Sequence, residues 1–237
     1  MKKALVILGI LGLLAFAVSA QAVTTTSVSL NLYGLVNDFC SPIVPFNPHL
    51  LDSGGNIDPT GCFVDWMNDP GLLGGDTLDI FDPVLQNSWS FPLIPSDNPV
   101  LLGDGYGAWV VGTQSVVERT LNYSGVDISD TDAYISLPGQ PDGTGGVHHI
   151  GIPYPVGTAV DWTQIIVTDG TESYTLYNLI YDLGDYKWGS FEFTGLDAAS
   201  QNAIGIPSGG DPMMQGGSGY WVQTTKSNLA LIIPHPI

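Results

Sequence analysis

Glycine and proline interrupt this chain so often that no helix of ordinary length fits into it. There are 30 glycines and 17 prolines in 237 residues. Both residues weaken or break helix interiors, and both favour turns. Between them lie short runs in which apolar and polar residues alternate. Thr24 to Leu32 and Ala133 to Leu137 read as strands by that alternation, and Ser173 to Tyr177 and Asn228 to Ile233 read as strands as well. Trp162 to Thr168 is the strongest strand candidate, and Asp169-Gly170 after it marks a tight turn. Asp76 to Asp82 spaces three carboxylates at intervals of three, which fits one helix face or the two faces of a strand. The one short helix candidate is 196–203. The expected fold class is therefore all-β, as tandem sandwich-like or barrel-like halves with long Gly/Pro-rich loops.

A motif occurs twice. Gly217-Ser218-Gly219-Tyr220-Trp221-Val222 is echoed 112 residues earlier by Gly105-Tyr106-Gly107-Ala108-Trp109-Val110. The ungapped alignment of 101–121 with 213–233 pairs Gly105, Gly107 and Trp109 with Gly217, Gly219 and Trp221, and holds six identities in 21 positions. Two glycines around one residue allow a tight turn or a close backbone approach, and the aromatic, β-branched run behind them is strand-like. The six tryptophans divide evenly, with Trp66, Trp89 and Trp109 before the midpoint and Trp162, Trp188 and Trp221 after it. Together these features predict an internal duplication. The expected division is a signal peptide at 1–22, a first β-rich half at 23–127 and a second at 128–237. The tryptophan of each copy is expected to close the end of a core.

The signal-peptide expectation rests on Lys2-Lys3, the apolar run Ala4 to Val18 and the small-residue end Ser19-Ala20-Gln21-Ala22. The run is short for a transmembrane helix. Its removal takes away two of the five basic residues, so the formal charge of −18 becomes −20. So acidic a chain lacks the clustered Lys and Arg that nucleic acid binding requires. An anionic membrane surface is excluded on the same ground. The compact leader points to a bacterial protein, secreted or held at the cell surface. In that oxidising setting Cys40 and Cys62 are expected to form a disulfide, worth about 3 kcal/mol by loop-closure entropy.

Catalytic patterns are missing from the sequence. There is no H-E-x-x-H, G-x-S-x-G or P-loop run. His148 and His149 would face opposite sides of a strand. Asp127, Asp130 and Asp132 suit a solvated linker better than a calcium loop, whose spacing they lack. Asn122-Tyr123-Ser124 is a glycosylation sequon, relevant only in a glycosylating host. The chain is expected to be non-enzymatic and without cofactor or bound metal.

The second motif copy, followed by Asn228-Leu229-Ala230-Leu231 and preceded in order by Tyr134-Ile135-Ser136-Leu137-Pro138 and Trp188, resembles repeats of uncharacterised secreted bacterial surface proteins. The resemblance covers the second half better than the first. It implies a cell-surface or extracellular component, with no catalytic residues to carry over. The expected role is structural or adhesive, including a self-assembling surface or filament subunit. Its partners would be further copies or other surface components, glycans among them. The alternative is a carbohydrate-binding module whose exposed tryptophans stack on sugar rings. Strand addition through Thr24 to Leu32 is the expected route of self-association.

Overall fold

The computed structural model describes residues 23–32, 35–63, 77–90, 99–110, 117–179, 187–188, 195–196, 203–204 and 213–236. The signal-peptide segment, Trp66 and most of the 180–212 region lie outside them, as does the side chain of Trp109. In chain order the strands are β1 (Val23–Leu32), β2 (Leu35–Cys40), β3 (Val44–Pro45), β4 (Thr77–Asp82), β5 (Asn87–Ser90) and β6 (Gly105–Val110). Then come β7 (Val117–Val126), β8 (Ala133–Leu137), β9 (Thr144–Gly151), β10 (Ala159–Asp161), β11 (Ile166–Thr168) and β12 (Ser173–Thr175). The last are β13 (Gly195–Leu196), β14 (Ala203–Ile204), β15 (Met213–Gln215), β16 (Gly219–Lys226) and β17 (Leu229–Ile233).

The architecture is all-β, made of several small antiparallel sheets. The larger ones have the orders β1-β7-β3, β2-β6-β4-β5 and β12-β11-β17-β8, and β16-β9, β10-β15 and β13-β14 are two-stranded. Among the described residues no sheet closes into a barrel. No described helix is long and apolar enough to cross a membrane.

Two local expectations change. Trp162 begins a 3-10 turn (Trp162–Gln164), and the strand starts only at Ile166. The cause is Asp161, whose Oδ1 accepts from the Thr163 N–H at 2.9 Å and so caps the turn. Trp162 is consequently rotated into the core, 5% exposed. At the proposed helix of 196–203, the two ends are strand residues paired with each other, Leu196 with Ala203. The residues between them lie outside the described set. Of the Asp76 to Asp82 run, Thr77–Asp82 is a strand, β4, with Leu78 and Ile80 buried, and Asp76 lies outside the described residues.

One core lies on one face of the β2-β6-β4 sheet. Phe39, Phe63 and Tyr106 meet there edge-on or tilted, with ring centroids 4.9 to 6.0 Å apart, beside Leu78 and Ile80. Such aromatic contacts add about 0.5–1.5 kcal/mol each beyond their burial. A second core gathers Ile135, Leu137, Ile150, Val167, Val222 and Leu231 from β8, β9, β11, β16 and β17. The Tyr154 hydroxyl ties its end together, accepting from the Ala133 N–H at 3.0 Å and lying 2.9 Å from the Ile233 carbonyl. β8 alternates buried and exposed cleanly, whereas the last four residues of β9 are all buried. Alternation survives on β8 because one face meets solvent; β9 is covered on both.

The pairing pattern before residue 127 recurs after it. β1 pairs β7 as β8 pairs β17, and β2 pairs β6 as β9 pairs β16. Phe39 opposes Tyr106 and Cys40 opposes Gly105; Ile150 opposes Tyr220 and Gly151 opposes Gly219. Cross-links between the two sets are reciprocal. Phe39 bridges Ser218 while Ile150 bridges Asp104. The Cys40 N–H donates to the Gly217 carbonyl at 2.9 Å, and the Gly151 N–H donates to the Gly103 carbonyl at 2.7 Å. Gly103 and Gly217 share a φ of 78°, a left-handed backbone suited to glycine. The two sets are thus related by a local twofold.

Candidate functional site

The seam between these sets is the most chemically distinctive place in the described structure. Directly paired residues share a face of an antiparallel sheet. Asp38 on β2 is opposite Gly107 on β6, which is opposite Asp79 on β4, which is opposite Ser90 on β5. Ser90 Oγ donates to Asp79 Oδ1. The other wall comes from β9 and β16, where His149 is opposite Trp221. Their rings stack with centroids 4.1 Å apart and planes 7° from parallel. The Trp221 indole also meets Phe81 of β4, at 5.2 Å and 76°.

Across the seam, His149 Nε2 lies 3.1 Å from Asp38 Oδ1, with side-chain exposures of 2% and 4%. The contact is within ion-pair range but not aligned as a hydrogen bond, for Nε2 has no partner by angular criteria. Asp38 and His149 occupy equivalent positions of the two pairing sets. The local twofold therefore brings an acid and an imidazole face to face. The pair spans the seam from β2 to β9 and links the two sheets.

Glycine makes the approach feasible. A Cβ on Gly151 would run into the Cβ and Sγ of Cys40, its counterpart across the seam. Those on Gly105 and Gly219 would crowd the His149 ring from two sides. Gly105, Gly107, Gly219 and Trp221 of the motif all reach this seam, and Gly217 supplies the carbonyl for Cys40. Trp109 lies on β6, opposite Val36.

Structural equivalence differs from the sequence alignment by two residues. Gly105 corresponds to Gly219, Tyr106 to Tyr220 and Gly107 to Trp221, a spacing of 114 and not 112. Trp109 and Trp221 are therefore not counterparts. Glycines spaced by two, in strands with a period of two, leave the register ambiguous in sequence. Asp38 and His149 were not singled out as a pair. Their one sequence signal is shared position, each two residues before the end of a strand that pairs with a motif copy.

The expected disulfide is absent. Cys40 and Cys62 are not joined by a disulfide, and both are buried. The Cys40 Sγ instead donates to the Ile152 carbonyl at 3.2 Å, which directs it into the seam. Burial pushes this thiol well above its usual range, so it is held as a neutral, unreactive group. Nearby, Asp104 is pushed up to about 6 by burial, although the Leu101 N–H donates to its Oδ2 at 2.9 Å.

The remaining candidates are dispersed. His148 faces away from His149, with Nε2 3.3 Å from Thr224 Oγ1, and burial depresses it to about 4. Asp127 Oδ1 accepts from the Ser129 N–H, and Asp132 Oδ1 from the His235 N–H. Among the described residues no three His, Cys, Asp or Glu side chains form a group able to hold a metal ion. Asn122 lies on β7 opposite Ser27. Comparison with protein-family models, curated proteins and solved structures finds no match.

Proposed function

We propose that the chain is an exported structural or adhesive protein of a bacterial cell surface, built from two sandwich-like β parts in tandem, 23–127 and 128–237, that arose by duplication. The observation that carries this reading is the seam. The motif glycines and Trp221 are spent on joining strands, around a shielded Asp38–His149 contact. A device of that kind contributes cohesion. The leader-like segment, the acidic composition and the mirrored strand pairing all fit an extracellular, non-enzymatic role.

The placement of the tryptophans weighs against a sugar-binding platform. Trp162 and Trp188 are 5% and 8% exposed, and Trp221 stacks on His149. Trp188 is further enclosed by Tyr174, with the Lys187 and Lys226 ammonium groups within 5.6 Å of its ring. Negative-stain imaging of the secreted protein tests the reading. Ordered assemblies, or particles retained on the cell surface, are expected. Monodisperse, unattached particles with a glycan-array signal lost on tryptophan substitution would overturn it in favour of carbohydrate recognition.

A further inference from the structure

Sheet edges in this protein are treated in two ways. The edge of β9 is closed by a side chain: the Val147 N–H donates to Gln86 Oε1 at 2.7 Å, and Gln86 Nε2 donates to the Val147 carbonyl at 2.9 Å. The amide of Gln86 thereby substitutes for a neighbouring strand. The first N–H of β8 is taken by the Tyr154 hydroxyl. β3 is two residues long and carries Pro45, β5 has four residues and β12 three. Capping, proline and shortness are ordinary ways of preventing unwanted strand addition.

β1 is neither short nor interrupted by proline. It runs for ten residues and pairs one-to-one with β7, from Val23 opposite Val126 to Leu32 opposite Val117, without a bulge. Among the described residues nothing pairs with its other edge. Its sequence, VTTTSVSLNL, contains no charge, no proline and no glycine, so every residue keeps its N–H. The absence of charge also selects the partner. The chain has 23 acidic residues against five basic ones, so two copies repel over most of their surface. A basic partner would be drawn to the acids and not to this neutral strand. Two β1 strands laid antiparallel place no like charges opposite each other.

We propose that β1 pairs antiparallel with β1 of a second copy, so that two β1-β7-β3 sheets become one continuous six-stranded sheet. This gives the structural role proposed above its partner and its contact, and rests on that reading. Light scattering of the secreted protein across a concentration series, with hydrogen exchange followed over 23–32, tests it. A concentration-dependent dimer is expected, with the amides of β1 slowing as it forms. Ser27→Asp, which sets two carboxylates near the centre of the pairing, is expected to weaken the dimer by about fivefold or more, with the urea midpoint of the monomer unchanged. Should Ser27→Asp not fold, exchange in the native protein decides alone. Assembly with β1 exchanging at its monomer rate overturns the pairing and leaves the structural role standing. A monomer at every concentration overturns the pairing, and surface retention in the imaging experiment then tests the role separately.

Discussion

Asp38 opposite Gly107 and His149 opposite Trp221 occupy the same place in two equivalent strand pairs, with opposite chemistry. One side presents a carboxylate beside an empty position. The other presents an imidazole beneath an indole. Identical residues at both places would set like against like across the seam, two acids or two stacked pairs competing for one space. Divergence turns the same backbone geometry into a complementary contact, 3.1 Å between Asp38 and His149. The same holds two residues along each strand, where Cys40 has a thiol and its counterpart Gly151 has no side chain. The backbone is repeated, and the side chains at the contact are matched by difference.

The largest expected effect comes from breaking that match. His149→Ala leaves Asp38 buried without its partner and removes the surface on which Trp221 stacks. Loss of one member of a buried pair costs about 3–5 kcal/mol, read as a fall in the urea unfolding free energy. Asp38→Asn combined with His149→Gln replaces both partners by neutral amides of similar shape and should cost clearly less. An equal cost would show that the contact between the two contributes nothing.

Next is the glycine side of the comparison. Gly151→Ala forces a Cβ against Cys40 and should cost about 1–3 kcal/mol by overpacking. Cys40→Gly in the same chain should restore much of it, because the two positions face each other across the twofold. Absence of rescue would mean that the strand spacing is set elsewhere.

A smaller effect is expected from pH. Asp104, at about 6 when folded against an ordinary 3.8, favours the protonated form in the native protein. Its contribution is full below about pH 3.8 and is lost as pH rises through about 6. His148, at about 4 against an ordinary 6.5, must stay neutral in the folded state. Its contribution is full above pH 6.5 and is lost as pH falls towards 4. Between pH 4 and 6 the two oppose each other. Asp104→Asn should therefore make stability fall more steeply on acidification, and raise it at pH 7, in urea midpoints taken at pH 4, 5, 6 and 7. An unchanged profile would remove Asp104 from the account.

The smallest effect is expected from reduction. With no disulfide between Cys40 and Cys62, a reductant should change the urea unfolding free energy by less than about 0.5 kcal/mol. Both thiols should react with a thiol reagent only once the chain unfolds.

Legibility followed the range of the interaction. β1, β8, β12 and β17 were readable because strand propensity is written along a single short segment, and on β8 buried and exposed residues alternate as the sequence does. Trp162 misled because a local cap at Asp161 outcompeted strand propensity. The cysteines misled because composition and compartment speak to whether a disulfide is stable, and not to where two strands aim their side chains. In the candidate site the motif glycines and Trp221 were visible as a pattern, whereas Asp38 and His149 looked ordinary.

By itself the sequence determined the all-β class, the punctuation of strands by Gly and Pro, and the presence of two similar glycine-rich strand starts. These follow from backbone sterics and from the two-residue period, which act between near neighbours. Only the tertiary structure decided the two-residue shift in the correspondence, the absence of a Cys40–Cys62 disulfide, and the meeting of Asp38 with His149. Those depend on how two sheets dock at close range, and that is settled jointly by residues more than a hundred positions apart.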